Sequence, residues 1–193
     1  MSELLQRFVD RAHEARPAAI DEAGATGYDA VVRGAHAVAT SLLSDGLRRG
    51  ERVAVLVHPS AGFVSACFGA LLAGGCVVVL SPLHPVPETR YFCDDAGVRA
   101  IVASAPLRAR AEAVGLPVVS LESLLAASPA GALAALAAAP ESAPAFQLYT
   151  SGTTGKPKGA VLTHANIGMQ QRPVGEAWGF HSGDVLLHSL PLH

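Results

Sequence analysis

Between Val53 and Pro87 the chain carries no Asp, Glu, Lys or Arg, and this run restricts the fold more than any other feature. A membrane-spanning helix would need about 20 consecutive apolar residues. Here the run is cut by His58-Pro59-Ser60, by Gly74-Gly75, and by Pro82, Pro85 and Pro87, and its middle is rich in Ala, Gly, Ser and Cys. A strand, a helix and a second strand buried in an α/β core fit it better. Val53-Ala54-Val55-Leu56-Val57 is apolar at every position, the pattern of a strand covered on both faces, as in parallel sheets. Ser60 is placed to cap a helix carrying Phe63, Val64, Cys67, Phe68, Leu71 and Leu72. Gly74-Gly75 stops that helix, and Cys76-Val77-Val78-Val79-Leu80 is the second buried strand.

The flanking segments extend this alternation. Leu4, Leu5, Phe8, Val9 and Ala12 share one helical face between Leu4 and Glu14, which Pro17 closes. A second helix is expected from Tyr28 to Ser44, with Val31, Ala35, Val38, Ala39 and Leu42 as its stripe. A helix over Val86 to Ala96 leads to a strand at Ala100 to Ala103, and a short helix over Leu107 to Ala113 leads to a strand at Val118-Val119. The order β-α-β-α-β-α-β favours the α/β class, a largely parallel sheet covered by helices. Leu124 to Ala145 is mostly alanine cut by Pro129, Gly131, Pro140 and Pro144, so a surface helix and a flexible approach are expected there. Ala160 to Leu162 reads as a strand returning beside Phe146 to Tyr149, Thr163 as the cap of a helix starting near Ala165, and Asp184 to Ser189 as one more strand.

Composition excludes several functions. A net charge of −2 gives no electrostatic footprint for nucleic acid, and no run of Lys or Arg suggests a membrane-surface patch. The N-terminus is charged and lacks the apolar core of a signal peptide, so a cytoplasmic protein is expected. Cys67, Cys76 and Cys93 are odd in number and lack C-x-x-C spacing, which suits small buried hydrophobes better than disulfides or a metal site. The histidines show no metal-ligand spacing either, and His164 reads as part of a helix start.

The chemistry is concentrated in Tyr149-Thr150-Ser151-Gly152-Thr153-Thr154-Gly155-Lys156-Pro157-Lys158-Gly159. Glycines let the backbone approach an anion with successive N–H groups pointing at it. Hydroxyls add neutral donors, and lysine ammoniums add charge. A plain hairpin turn is the bland alternative, but a bare turn does not require this ordered stretch. A Walker A loop requires G-x-x-x-x-G-K-[ST]. Here Pro157 follows Gly155-Lys156, and Thr150 stands where the first glycine should be. A G-x-G-x-x-G dinucleotide site is also absent.

The stretch matches Tyr-Thr-Ser-Gly-Thr-Thr-Gly-x-Pro-Lys-Gly and so resembles the adenylate-forming (AMP-binding) superfamily, which includes acyl-CoA synthetases and peptide-synthetase adenylation domains. Upstream, Tyr28 sits where the family's Thr-Tyr-x-Glu-Leu motif falls, with Ala30 and Val31 in place of Glu and Leu. Gly50-Glu51-Arg52-Val53-Ala54, Gly69-Ala70-Leu71-Leu72-Ala73-Gly74-Gly75 and Leu80-Ser81-Pro82 resemble further family segments in the family's order. The resemblance runs from about residue 25 to residue 193.

It implies ATP, with Mg2+, activating a small carboxylic acid to an acyl-adenylate, then transfer to the thiol of CoA. Ser151, Gly152, Thr153, Thr154, Gly155 and Lys158 would hold the β- and γ-phosphates, with Thr150 bordering that nucleotide-binding set, whereas Lys156 falls at a variable, solvent-facing position. Leu190-Pro191-Leu192-His193 resembles the start of a later family segment and puts His193 one place before its usual histidine. The family's adenine, ribose, hinge and C-terminal lysine motifs do not occur, so residues 1–193 are expected to be an incomplete N-terminal part of the large domain. No catalytic residue is assigned, and these residues alone are expected to be inactive. Ala160-Val161-Leu162-Thr163-His164 looks more like acyl-CoA synthetases. An adenylation domain loading a carrier-protein thiol, and a non-catalytic nucleotide-binding module, remain as alternatives.

Overall fold

A computed structural model describes residues 1–126, 139–150 and 156–190. The chain opens with helix α1 (Glu3–Asp10), capped by Ser2 and followed by a 3-10 turn over Arg11–His13. A two-stranded antiparallel hairpin, β1 (Pro17–Asp21) and β2 (Gly24–Gly27), comes next. Sequence reasoning missed it, reading Pro17 only as the end of a helix. Asp21 makes the turn by accepting the Ala23 N–H at 2.9 Å, and its other oxygen accepts the Ala61 N–H at 3.1 Å. The hairpin is thereby tied to the helix beginning at Ala61.

The main sheet follows the expected alternation. After α2 (Tyr28–Ser44) come β3 (Arg52–Leu56), α3 (Ala61–Leu72), β4 (Cys76–Val79), α4 (Val86–Ala96) and β5 (Val98–Ala103). Then follow α5 (Arg108–Glu112), β6 (Val118–Ser120) and α6 (Leu121–Ala126). The last described elements are β7 (Pro144–Thr150), β8 (Lys158–Thr163) and α7 (His164–Trp178). Strand order is β6-β5-β3-β4-β7-β8, parallel throughout except for the β7–β8 pair.

The charge-free run explains itself in this sheet. Val53, Val55 and Val77 point into one core with Ala35, Val38 and Leu42 of α2 and Ala66, Cys67 and Ala70 of α3. Ala54, Leu56 and Val78 point into a second core with Phe92, Cys93 and Ala96 of α4. Each Val or Leu so buried contributes about 1.5–3 kcal/mol, and Val53–Leu56 and Cys76–Val78 offer no exposed position where a charge could sit. Gly69 is required by the α2–α3 crossing. A methyl there would lie 2.5 Å from Val38 Cβ and 2.7 Å from the Ala35 carbonyl oxygen.

One expectation is corrected. Residues 184–189 are not a strand, and Val185 and Leu187 are 83% and 91% exposed. A strand needs a paired neighbour for its N–H and C=O groups, and among the described residues no strand pairs with this segment. Helix α6, which directly follows β6, buries Leu121 and Leu124 in the first core and overlaps only the start of the alanine-rich stretch. Residues 127–138, within the alanine-rich stretch, lie outside the described residues.

Candidate functional site

The glycine- and hydroxyl-rich stretch is the connection of the β7–β8 hairpin. Register pairs Thr150 with Lys158, Tyr149 with Gly159, Leu148 with Ala160 and Gln147 with Val161. Thr150 and Lys158, both exposed, therefore face each other where the two arms diverge. Ser151, Gly152, Thr153, Thr154 and Gly155 lie outside the described residues, as do Pro191, Leu192 and His193. Because β7 runs parallel to β4, the connection leaves from the carboxyl edge of the parallel sheet, the edge at which open α/β sheets hold ligands. Lys156 is exposed, in agreement with its solvent-facing assignment.

Local geometry accounts for the glycine that ends the motif. A methyl on residue 159 would lie 2.5 Å from Gln147 Nε2 and 3.1 Å from the Tyr149 ring. Gln147 is buried on β7, and its amide donates to the Tyr149 oxygen at 3.1 Å. The Tyr149 O–H is shared between Asp95 Oδ2 at 2.6 Å and the Phe92 carbonyl at 3.1 Å. Burial raises the Tyr149 pKa first, and its bond to the Asp95 carboxylate raises it further. The phenol stays protonated and keeps donating. On the other arm, the Tyr91 O–H donates to the Pro157 carbonyl at 3.1 Å. Pro87, Glu88, Tyr91, Lys156 and Pro157 line a groove of about 370 Å³ beside that arm.

Tyr91, Asp95 and Gln147 were not visible in the sequence. They reach the site through contacts between residues as far apart in sequence as 91 and 157, and no local spacing reports such pairs.

His164 stands at the far end of β8 from the connection. It is fully buried, and its Nδ1 pairs with the Ser2 hydroxyl at 3.0 Å. Ser2 also accepts the Leu5 N–H at 3.4 Å. Glu141 ties the same corner together, its carboxylate accepting the Glu3 N–H at 2.6 Å. This corner fastens α1 to the start of α7 and leaves His164 a structural residue. All three cysteines are free and buried, and burial pushes the Cys67 thiol up to about 12 and the Cys93 thiol up to about 11. Such thiols are poor nucleophiles. Among the described residues, no helix is long and apolar enough to cross a membrane.

Comparison with known proteins agrees with this geometry. A family model described as AMP-binding enzyme matches residues 5–193, which takes in most of α1 as well as the segments recognised from sequence. The chain is 34% identical to a malonate–CoA ligase of Arabidopsis thaliana over 77% of its length and 26% of that protein's. It is 33% identical to a hybrid PKS-NRPS synthetase of Aspergillus niger over 97% of its length and 5% of that protein's. The crystal structure of ATP-bound MatB from Rhodopseudomonas palustris superposes with a TM-score of 0.85 at 31% identity, covering 100% of this chain and 41% of that one. The chain thus spans less than half the length of these relatives, and it belongs to the AMP-binding enzyme family.

Proposed function

We propose that this chain is the phosphate-gripping part of an enzyme that uses ATP to activate a carboxylic acid and then passes the acyl group to CoA. A carboxylate oxygen attacks the α-phosphorus, the P–O bond to the β-phosphate breaks, and pyrophosphate leaves with the electron pair. The thiol sulfur then bonds to the acyl carbon of the adenylate, and AMP leaves with the carboxyl oxygen. Two anions must meet in the first half, so alignment and charge neutralisation dominate. Thr150, Ser151, Gly152, Thr153, Thr154, Gly155 and Lys158 are the residues we assign to the β- and γ-phosphates. The hydroxyls and N–H groups donate, and Lys158 offsets charge gathering on the leaving group. In a chain of this family, the pairing of Thr150 with Lys158 at the base of the connection carries the reading.

The described residues offer no set of three or more His, Cys, Asp or Glu side chains for a metal ion. Mg2+ would enter with the nucleotide, held largely by its phosphates. We take residues 1–193 as a partial N-terminal domain, because they span 41% of MatB. By themselves they are expected not to adenylate an acid. Free, buried thiols suit a reducing compartment, and the cytoplasm is the proposed location.

A second reading, loading of a carrier-protein thiol, is favoured by the likeness to the PKS-NRPS synthetase along nearly the whole chain. Thioester formation with CoA, against formation with a carrier protein, separates the two. The central test is carboxylate-dependent ATP–pyrophosphate exchange by the natural protein that carries this chain. Lys158→Ala is expected to slow exchange by about 10²–10³-fold, the usual cost of one leaving-charge donor. Exchange indifferent to that substitution would remove Lys158 from the proposal, and exchange by residues 1–193 alone would refute their inactivity.

A further inference from the structure

We propose that helix α4 is the platform that fixes both arms of the phosphate-binding hairpin, with Tyr91 as the positioning residue of the exit arm. The inference rests on the reading of the β7–β8 connection given above and extends it to a residue outside the motif. The two anchors flank the connection symmetrically. Tyr149 stands two residues before Ser151, and its O–H reaches the Phe92 carbonyl and Asp95 Oδ2 on α4. Pro157 stands two residues after Gly155, and its carbonyl receives the Tyr91 O–H from the same helix.

The rings themselves are also joined. Phe92 stacks on Tyr149 with centroids 4.5 Å apart, and Tyr91 meets Tyr149 edge-on at 6.5 Å. The helix beneath is well held, because Phe92 and Cys93 are buried in the second core against β3 and β4. An arm tied to it inherits the position of the sheet.

Pro157 gives this arrangement its selectivity. Proline has no N–H, so the carbonyl is its only backbone hydrogen-bonding group, and Tyr91 occupies it. A fixed φ and one occupied acceptor leave the arm little freedom just before Lys158. An ammonium held in place neutralises a phosphate without reorganising first. Tyr91 touches no substrate in this scheme and acts only through the backbone of the arm.

The test is Tyr91→Phe in the natural protein that carries this chain, which removes one oxygen from a half-buried ring. Mg-pyrophosphate binding is measured by calorimetry, amide exchange is followed at residues 158–160, and the thermal midpoint is recorded. The expected result is affinity about five- to tenfold weaker, as the loss of one hydrogen bond implies, with faster exchange at 158–160 and an unchanged midpoint. Wild-type binding that Tyr91→Phe leaves intact overturns the inference. If the wild-type protein binds no pyrophosphate, the phosphate reading fails for this chain. The exchange data then decide the platform separately: acceleration at 158–160 upholds it, and unchanged exchange sinks it. Loss of the fold in Tyr91→Phe would make the residue a general support and also overturn its positioning role.

Discussion

The last glycine of the motif, Gly159, has no room for a side chain, because a methyl would press on the Gln147 amide and the Tyr149 ring. Both neighbours are engaged with each other, so neither can move without losing the Gln147–Tyr149 bond. Gly159→Ala should therefore cost about 1–3 kcal/mol, the range for overpacking a filled site, read as a lower urea midpoint at constant slope. An unchanged midpoint would mean that the hairpin relaxes freely. In the sequence, Gly159 was legible only as one member of a phosphate-binding stretch. Its steric duty depends on Gln147, which lies on the opposite strand and twelve positions earlier. Lys156 was legible because a position free of structural demands in the motif is also exposed in the fold.

At the level of elements, α2 and α4 match their expected bounds, Tyr28–Ser44 and Val86–Ala96. Each has a local stop, at Asp45-Gly46 and at Gly97, where the backbone turns to φ 65°. Thr163 caps α7 as expected, with a reciprocal pair to Asn166 that sequence reasoning did not identify. The β1–β2 hairpin was missed because its short strands show no apolar alternation, and the 184–189 strand was wrongly expected because an apolar run says nothing about a pairing partner. The helices on opposite faces of the sheet carry the buried thiols, Cys67 in α3 and Cys93 in α4. Their pKa values are raised above the ordinary value near 9, so between about pH 9 and 11 the unfolded chain gives up protons that the folded chain keeps. Unfolding then releases protons, and stability must fall as pH rises above 9. Tyr149 acts in the same direction, its pKa being raised chiefly by burial. Urea midpoints at pH 7, 9 and 10.5 should decline across the last interval, and Cys67→Ala should flatten that decline. A midpoint independent of pH would show the thiols to be accessible.

Over the whole molecule, burial is uneven in a way that the sequence could not reveal. The sheet from β6 to β4 is covered on both faces by the two cores, whereas from β8 onward several large apolar side chains face water. Met169 and Trp178 on α7 are 76% and 74% exposed, and Val185, Leu186, Leu187 and Leu190 continue the exposure past its end. Composition counts these residues as core material, and only the arrangement separates the filled half from the unfilled one. Single exposed hydrophobes are ordinary, but a concentration of them along one segment marks a surface that associates or aggregates. The 193 residues alone should therefore self-associate through α7 and the segment after it. Trp178 is the chain's only tryptophan, which makes the region its own reporter. At low concentration its emission should match that of tryptophan in water, and it should shift to the blue as sedimentation shows larger species. A blue-shifted emission in the monomer would mean that α7 folds back onto the chain. A water-like emission in an oligomer would place the association elsewhere. Only a shift that tracks assembly fits an uncovered apolar surface at α7 and the segment after it.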